Sequence, residues 1–218
     1  MTVKSKSIVI AANTSWGLYN FRKNLILSLV KRGYRVIAIS MFDGYTDKLK
    51  SLGCECLNIE IDSGGKNPFV DSLTILQLLS IYRKMSPDLV LHFTPKMSIY
   101  SSIACSFINI KYITNISGLG IIYSKRNIFS ILVMYLYKFS QRKASKVFFQ
   151  NDHDRANFIN SRIVTNDKSD RLPGSGVDLN YFNFDEKLNT GNIRFILSAR
   201  MILEKGILEY VNAAIHIK

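Results

Sequence analysis

The fold is decided by residues 6–40, KSIVIAANTSWGLYNFRKNLILSLVKRGYRVIAIS. The continuous apolar run at the start of this stretch is typical of a strand that is covered on both faces of a parallel sheet. A helix is predicted over residues 18–32, with Phe21 on its apolar stripe and Gly33 just after its end. A second apolar strand is predicted over residues 34–40. A strand, a helix and a strand in this order predict a parallel β-α-β unit.

The same alternation continues through most of the chain. Further strands are predicted at 55–61, 89–93, 111–117 and 145–150, and helices at 45–52, 68–85, 98–107 and 128–143. Asn67 is the predicted N-cap of the helix at 68–85. We therefore expect a doubly wound, Rossmann-like parallel α/β sheet. Residues 193–199 and the helical pattern that follows them predict one more strand and helix, which open a second α/β domain.

The net charge predicts an anionic partner. The 218 residues carry 29 Lys and Arg against 16 Asp and Glu, which gives a net charge of +13. Met1–Phe42 contains seven basic residues and Leu89–Asn151 contains eight, and neither stretch contains an acidic residue. Nucleic acid, an anionic membrane surface and a diphosphate-bearing substrate all fit this pattern. A soluble protein that is merely basic fits it as well.

Several classes of protein are disfavoured by the sequence. The longest apolar run, residues 128–137, is half of the roughly 20 residues that a membrane-spanning helix needs. The N-terminus lacks the pattern of a signal peptide. The three cysteines are odd in number, and Cys54 and Cys56 lack a second pair for zinc. We therefore expect buried thiols in a reducing compartment, without a disulfide framework or a metal site.

Ligands of such sheets bind beyond the carboxyl ends of the strands, so the loops at that edge hold the candidate site residues. Gly17 lies at the expected start of a helix, where free amides suit a phosphate, although it fits close packing of strand and helix equally well. Gly118 and Gly120 lie in another of these loops, but G-x-G-x-x-G and Walker motifs are missing. His92 ends the fourth strand, which suits either a catalytic side chain or a satisfied core histidine.

The stretch QNDHDR, residues 150–155, contains two aspartates in a D-x-D pattern. Such a pair holds a divalent cation in some sugar transferases. Because Asn151 precedes the predicted helix, the favoured interpretation is that Asn151 caps it and that Asp152 and Asp154 lie in its first turn.

Five stretches in order carry a resemblance to a known family: HFTPKMSIYSSIA, ITNISGLG, KVFFQNDHDRANF, LPGSGVDLNYF and FILSARMILEKGILEYVNAA. Together they resemble glycosyltransferase family 4, in particular bacterial enzymes that act on an undecaprenyl-diphosphate-linked sugar during O-antigen, capsule or other surface glycan assembly. The resemblance implies the GT-B fold, with an acceptor-side domain at 1–179, a linker at 180–192 and the truncated start of a donor-binding domain at 193–218. It also implies that this stretch alone is inactive.

The resemblance further implies roles for individual residues. Arg200 and Lys205 match the family's A-R-x-x-x-x-K-G stretch and are expected to hold the donor's diphosphate, with Gly17 complementing the donor phosphates. His92 is the expected catalytic residue. The expected acceptor-binding residues are Thr94, Lys96, Gly118 and Gly120.

The implied reaction is a retaining transfer of a hexose or N-acetylhexosamine from a nucleotide sugar, expected to be a UDP-sugar, with no metal and no other cofactor. The implied partners are the nucleotide sugar, the undecaprenyl-diphosphate-linked acceptor and the inner face of the plasma membrane, without nucleic acid. The location is then cytoplasmic and peripheral.

The helix at 128–143 suits docking on anionic lipid or ordinary core packing. The alternatives are another GT-B enzyme, such as a nucleotide-sugar epimerase, and a non-catalytic module that binds membranes or polyanions.

Overall fold

The computed structural model describes residues 5–62, 64–65, 67–119, 128–183, 191 and 193–217. By internal contacts the chain divides into two compact units, Met1–Asp178 and Leu179–Lys218. The boundaries expected from the sequence, 1–179, 180–192 and 193–218, stay predictions.

Within the described residues, the first unit holds one parallel sheet of seven strands in the order β3-β2-β1-β4-β5-β6-β7. The strands are β1 (Ser7–Thr14), β2 (Arg35–Met41), β3 (Glu55–Asn58), β4 (Leu89–Phe93), β5 (Tyr112–Ile116), β6 (Lys146–Phe149) and β7 (Ser169–Arg171). The helices are α1 (Ser15–Lys31), α2 (Thr46–Ser51), α3 (Pro68–Met85), α4 (Pro95–Phe107), α5 (Ile128–Ser140) and α6 (Asp152–Asn160). The expected Rossmann-like α/β fold is confirmed.

Both faces of the sheet are covered, which explains the unbroken apolar runs of its strands. Successive side chains of a strand point to opposite faces. Val9 and Ala11 of β1 accordingly belong to the core beneath α3, α4, α5 and α6, whereas Ile10 and Ala12 belong to the core beneath α1 and α2. These four side chains are at most 2% exposed. The strand order reverses direction between β1 and β4, so the carboxyl ends of these two strands flank the position where ligands of such sheets bind.

Two helices begin three residues before their predicted starts, and both differences arise from residues at the helix N-terminus. Helix α1 begins at Ser15, because the extended Thr14 accepts a hydrogen bond from the Gly17 amide through its side chain. Helix α4 begins at Pro95, whose fixed φ suits the first helical position. Helix α3 begins after Asn67 as predicted.

The structure differs from the strand predictions in three places. Strand β3 ends at Asn58, three residues before its predicted end. Strand β7 was not predicted, since its three residues, Ser169–Arg171, show no apolar run. The strand expected at 193–199 is also wrong: residues 193–198 are not assigned to a strand, and no described residue supplies a neighbouring strand for them.

The second unit contains a short 3-10 helix, Leu203–Lys205, and helix α7, Ile207–Ile217. The Tyr210 hydroxyl donates a hydrogen bond to the Phe195 carbonyl oxygen at 2.8 Å, which ties α7 to the segment before it. Helix α7 has no buried residue.

Candidate functional site

A cleft of about 380 Å³ opens at the carboxyl edge of the sheet, at the reversal between β1 and β4. We call it the Arg22 cleft. It is lined by Ala12, Thr14, Trp16, Gly17, Leu18, Phe21 and Arg22 from β1 and α1, by Phe93 at the end of β4, and by Thr94, Ser117, Gln150 and Ser175, which follow strands β4 to β7. Ligand clefts in proteins have this size and this mixture of aromatic walls with a few polar groups.

The amides at the start of α1 already have partners in the protein. The Gly17 amide donates to Thr14 Oγ1 at 3.1 Å, and the Trp16 amide donates to Asp43 Oδ2 at 2.8 Å. A Cβ atom at Gly17 would lie 3.2 Å from Thr14 Oγ1, so the glycine permits this close approach. The Asp43 carboxylate supplies the negative charge that the positive end of a helix favours. The phosphate-binding role expected for Gly17 therefore stays a prediction.

Arg22 is the cation of the cleft lining, and no sequence motif marks it. Its Nη1 donates to Ser175 Oγ at 3.0 Å and to the Phe21 carbonyl oxygen at 3.3 Å. Its Cζ lies 4.1 Å from the centroid of the Phe93 ring, in a cation-π contact. Its buried Nε has no hydrogen-bond partner, and no ion pair within the described chain includes Arg22. Burial lowers the pKa of Arg22 from its ordinary value, because a charge is costly away from water.

Thr94 lines the cleft in an unusual backbone conformation. Its φ is 80° and its ψ is 144°, a region that side chains other than glycine rarely adopt. Its Oγ1 donates to Asn13 Oδ1 at 2.7 Å, which ties the end of β4 to the end of β1. Strained residues of this kind cluster at functional sites, because the surrounding structure must hold them in place. Thr94 is the expected acceptor-binding residue that the structure places in the cleft.

Lys96 does not line the cleft. Its Nζ lies 2.7 Å from Asp71 Oδ1 of α3, and the two side chains are 16% and 19% exposed. The ammonium also lies 5.7 Å from the Tyr100 ring centroid. The charge of Lys96 is therefore neutralised within the protein, and its expected acceptor contact stays a prediction.

His92 lies in the core behind the cleft. Its ring is fully buried. Nε2 is 2.7 Å from Ser101 Oγ, and Nδ1 is 3.0 Å from Ser102 Oγ and 3.4 Å from Thr114 Oγ1. We call these four residues the His92 cluster. The neutral ring has one donor and one acceptor, and hydroxyls serve either one.

Burial lowers the pKa of His92 to about 3, so the ring is neutral at physiological pH. The ring is absent from the lining of the Arg22 cleft, and the catalytic role expected for His92 stays a prediction. His92 occupies the place of a satisfied core histidine, the alternative that the sequence left open.

The loop after β5 and the D-x-D pattern lie close together. Gly118 has a φ of 150°, which favours glycine. The next amide, that of Leu119, donates to Asp154 Oδ2 at 3.3 Å. Asn151 accepts from the Asp154 amide at 2.7 Å, so the expected helix cap is confirmed, and Arg171 Nη1 donates to Asp152 Oδ2 at 2.7 Å. Gly120 lies outside the described residues.

Arg200 and Lys205 lie in the second unit. Both are exposed, Arg200 just before the 3-10 helix and Lys205 at its end. Gly206, the residue after Lys205, has a φ of 74°, which explains the glycine at this position. The donor-binding role of Arg200 and Lys205 stays a prediction.

No group of three or more His, Cys, Asp or Glu side chains in the described ranges is placed to hold a metal ion.

The aromatic walls of the cleft were also missed from the sequence. Trp16 and Phe21 are 47% and 51% exposed and contact each other edge to face, with ring centroids 5.5 Å apart. Phe21 was predicted on the buried stripe of α1, but the structure places it at the cleft. The sequence feature that marks this site is the pair of aromatic residues, Trp16 and Phe21, on either side of Gly17 just after the first strand.

Comparison with known proteins agrees with the fold. A curated relative from Campylobacter jejuni, N,N'-diacetylbacillosaminyl-diphospho-undecaprenol alpha-1,3-N-acetylgalactosaminyltransferase, is 26% identical over 92% of this chain and 58% of its own length. The structure is similar to Anabaena HepE in complex with UDP and glucose, with a TM-score of 0.58 and 14% identity over 80% of this chain and 46% of that one.

A further similarity is to the UDP-GlcNAc 2-epimerase of Methanocaldococcus jannaschii, with a TM-score of 0.54 and 14% identity over 78% of this chain and 45% of that one. At such identities the two structural similarities show the fold alone, and GT-B transferases and epimerases share it. This chain spans about half the length of these proteins. Residues 7–151, more than half of the chain, match the family model described as glycosyl transferase 4-like, and the chain belongs to this glycosyltransferase family.

Proposed function

We propose that the protein to which this chain belongs transfers a hexose or N-acetylhexosamine from a UDP-sugar to an undecaprenyl-diphosphate-linked saccharide in surface polysaccharide assembly. The observation that carries the proposal is the Arg22 cleft at the strand-order reversal, in a chain similar along 92% of its length to a transferase named for such an acceptor. The cleft offers a cation beside aromatic walls, which suits a ligand that joins an anion to an apolar or sugar group.

The proposed chemistry is a retaining transfer without a protein-bound metal. The departing nucleoside diphosphate gains negative charge as the glycosidic bond breaks, and cations placed at that charge lower the barrier. Arg200 and Lys205 supply these cations to the donor, and Thr94 and Gly118 belong to the acceptor side. His92 does not contact the ligand in this proposal, because its ring is buried and hydrogen-bonded within the core.

A transfer assay tests this function. The protein to which this chain belongs is purified and incubated with radiolabelled UDP-N-acetylgalactosamine, UDP-N-acetylglucosamine or UDP-glucose and a lipid-linked saccharide, and the lipid fraction is analysed by chromatography. We expect label in a longer lipid-linked saccharide, and a loss of about 100-fold or more when Arg200 and Lys205 are both changed to alanine. Epimerised UDP-sugar without labelled lipid would support the epimerase alternative, and the absence of both products would contradict both.

Helix α5 supports a peripheral position at the membrane. Its solvent-facing side chains are largely apolar and include Ile128, Ile131, Leu132, Tyr135 and Phe139, which are 47% to 87% exposed. Lys138 and Arg142 are exposed at its C-terminal end, and residues 128–151 contain no acidic side chain. Apolar side chains beside cations are the pattern of helices that dock on anionic lipid. In the described ranges, no helix combines the length and the apolar content of a membrane span.

Vesicle sedimentation tests the docking of α5. We expect the protein to bind vesicles that contain phosphatidylglycerol, and the double variant Ile131→Asp and Leu132→Asp to lose most of this binding. Leu27→Asp on α1, at a side chain that is 39% exposed, is the matched control and is expected to bind as the wild type does. Equal binding by the double variant and the wild type would contradict the docking of α5.

A further inference from the structure

Arg35 and Arg22 differ in whether the protein supplies a partner for the Nε and Nη2 edge of the guanidinium. Arg35 donates from Nε to Glu55 Oε1 at 2.7 Å and from Nη2 to Glu55 Oε2 at 2.8 Å. The corresponding edge of Arg22, Nε with Nη2, has no hydrogen-bond partner within the described residues, because both of its hydrogen bonds come from Nη1. This edge has the geometry that carboxylates and phosphates fit with two parallel bonds.

Neighbouring groups hold the Arg22 guanidinium in place without neutralising it. The Phe93 ring lies on one face at 4.1 Å, and Ser175 Oγ accepts from Nη1. Ser175 stands between Gly174 and Gly176, whose φ values of 83° and 76° require glycine, so the loop conformation fixes the position of the serine. Both partners leave the positive charge uncompensated. A partly buried cation without a counter-charge carries a desolvation cost, and an anionic ligand offsets that cost.

We propose that Arg22 is the anion-binding side chain of the cleft and that its Nε and Nη2 bind two oxygens of a diphosphate-bearing ligand. The proposal rests on the proposed function for the class of ligand, since both substrates named there carry a diphosphate. The Trp16 and Gly17 amides do not compete for this role, because Asp43 and Thr14 already accept from them. Trp16 and Phe21 then contact the group that the diphosphate carries.

Isothermal titration calorimetry on the purified chain tests the proposal with two probes, UDP and farnesyl diphosphate. UDP represents the donor's nucleoside diphosphate, and farnesyl diphosphate represents the acceptor's polyprenyl diphosphate. Trp16 is the only tryptophan in the sequence and lines the cleft, so its fluorescence gives a second readout of binding. We expect at least one probe to bind and to change this fluorescence, and uridine and farnesol to bind at least tenfold more weakly than their diphosphates.

The variant Arg22→Gln is expected to weaken binding of that probe about tenfold or more, because charged hydrogen bonds to the diphosphate are lost. Arg22→Lys keeps the charge without the two-pronged edge and is expected to bind with intermediate affinity. Arg32→Gln, at an exposed arginine just after α1, makes the same change of net charge and is expected to bind within about twofold of the wild type. Thermal unfolding verifies that each variant is folded.

Each outcome decides the proposal. Weakened binding of UDP alone assigns the edge to the donor, and weakened binding of farnesyl diphosphate alone assigns it to the acceptor. Unchanged affinity of Arg22→Gln for both probes, or binding of neither probe by the wild type, overturns the proposal. Because binding is measured without transfer, a failed transfer assay with intact Arg22-dependent binding would overturn the proposed function and leave this inference standing.

Discussion

Two neighbouring regions, the His92 cluster and the Arg22 cleft, use buried polar groups in opposite ways. They meet at consecutive residues of β4, since His92 belongs to the cluster and Phe93 lies under Arg22. Consecutive side chains of a strand point to opposite faces, so one faces α4 and the other faces α1. Both nitrogens of the His92 ring have partners within the protein, whereas Arg22 Nε has none.

This difference separates a group that stabilises the fold from a group that is available to a ligand. A buried polar group with partners in the protein contributes to stability, and removing it leaves those partners unsatisfied. A partly buried cation without a counter-charge contributes little to stability and gains that counter-charge only when a ligand binds. The first kind of residue is detected by measurements of unfolding, and the second by measurements of binding.

The largest expected effect breaks the His92 cluster. The substitution His92→Ala removes a fully buried ring and one hydrogen-bond partner from each of Ser101 and Ser102, so we expect a loss of about 3 kcal/mol or more in the free energy of unfolding. Urea unfolding followed by circular dichroism measures it. A loss below about 1 kcal/mol would contradict the structural role of the ring.

The next effect is a loss of folding stability at acidic pH, caused by His92. The folded-state pKa of His92 is about 3 and the ordinary value is 6.5, so the unfolded state binds more protons between these pH values. Stability is therefore retained above about pH 6.5 and falls as the pH decreases towards 3, by about 2 kcal/mol at pH 5. Unfolding free energies between pH 7.5 and 5 should fall less steeply for His92→Gln than for the wild type, and equal slopes would contradict the low pKa.

A smaller effect is expected at Lys96, a cation whose partner the protein itself supplies. Since Lys96 and Asp71 are mostly buried, we expect Lys96→Met to cost about 1–2 kcal/mol, an amount between those of exposed and buried ion pairs. A double-mutant cycle with Asp71→Asn isolates the coupling of the pair. Unchanged stability together with weakened ligand binding would contradict this expectation. It would show that Lys96, like Arg22, is available to a ligand and does not stabilise the fold.

The smallest effect on stability is expected at Arg22. The substitution Arg22→Gln loses the contact with Phe93 and the bonds from Nη1, but it also removes a partly buried charge without a counter-charge. These contributions oppose each other, so we expect the free energy of unfolding to change by no more than about 1 kcal/mol. Urea unfolding measures it beside His92→Ala. A loss as large as that of His92→Ala would remove the distinction between the two regions.

Most of the fold of the first unit was predictable from the sequence, because apolar runs and helical stripes directly reflect the two covered faces of the sheet. The caps at Asn67 and Asn151 were predictable for a local reason, since a cap and its helix are adjacent in sequence. The starts of α1 and α4 were missed where Thr14 and Pro95 carried information that the apolar pattern did not. Strand β7 has no apolar pattern and depends on pairing with β6.

The candidate site was less predictable, because it depends on which groups lack partners. The sequence identifies His92 as the polar residue at the end of β4, but the hydroxyls that satisfy its ring come from α4 and β5. Arg22 is one of many cations in a basic chain. Only the structure shows that Glu55 compensates Arg35 and that no described carboxylate compensates Arg22. Thr94 was named only through the family resemblance, and the structure places it in the cleft lining.

The most direct test of the account is a single titration of UDP and farnesyl diphosphate into the wild type, His92→Gln and Arg22→Gln, at a temperature where all three are folded. We expect His92→Gln to bind within about threefold of the wild type and Arg22→Gln to bind about tenfold or more weakly. The reverse order, with binding lost at His92 and retained at Arg22, would contradict the assignment of the two regions.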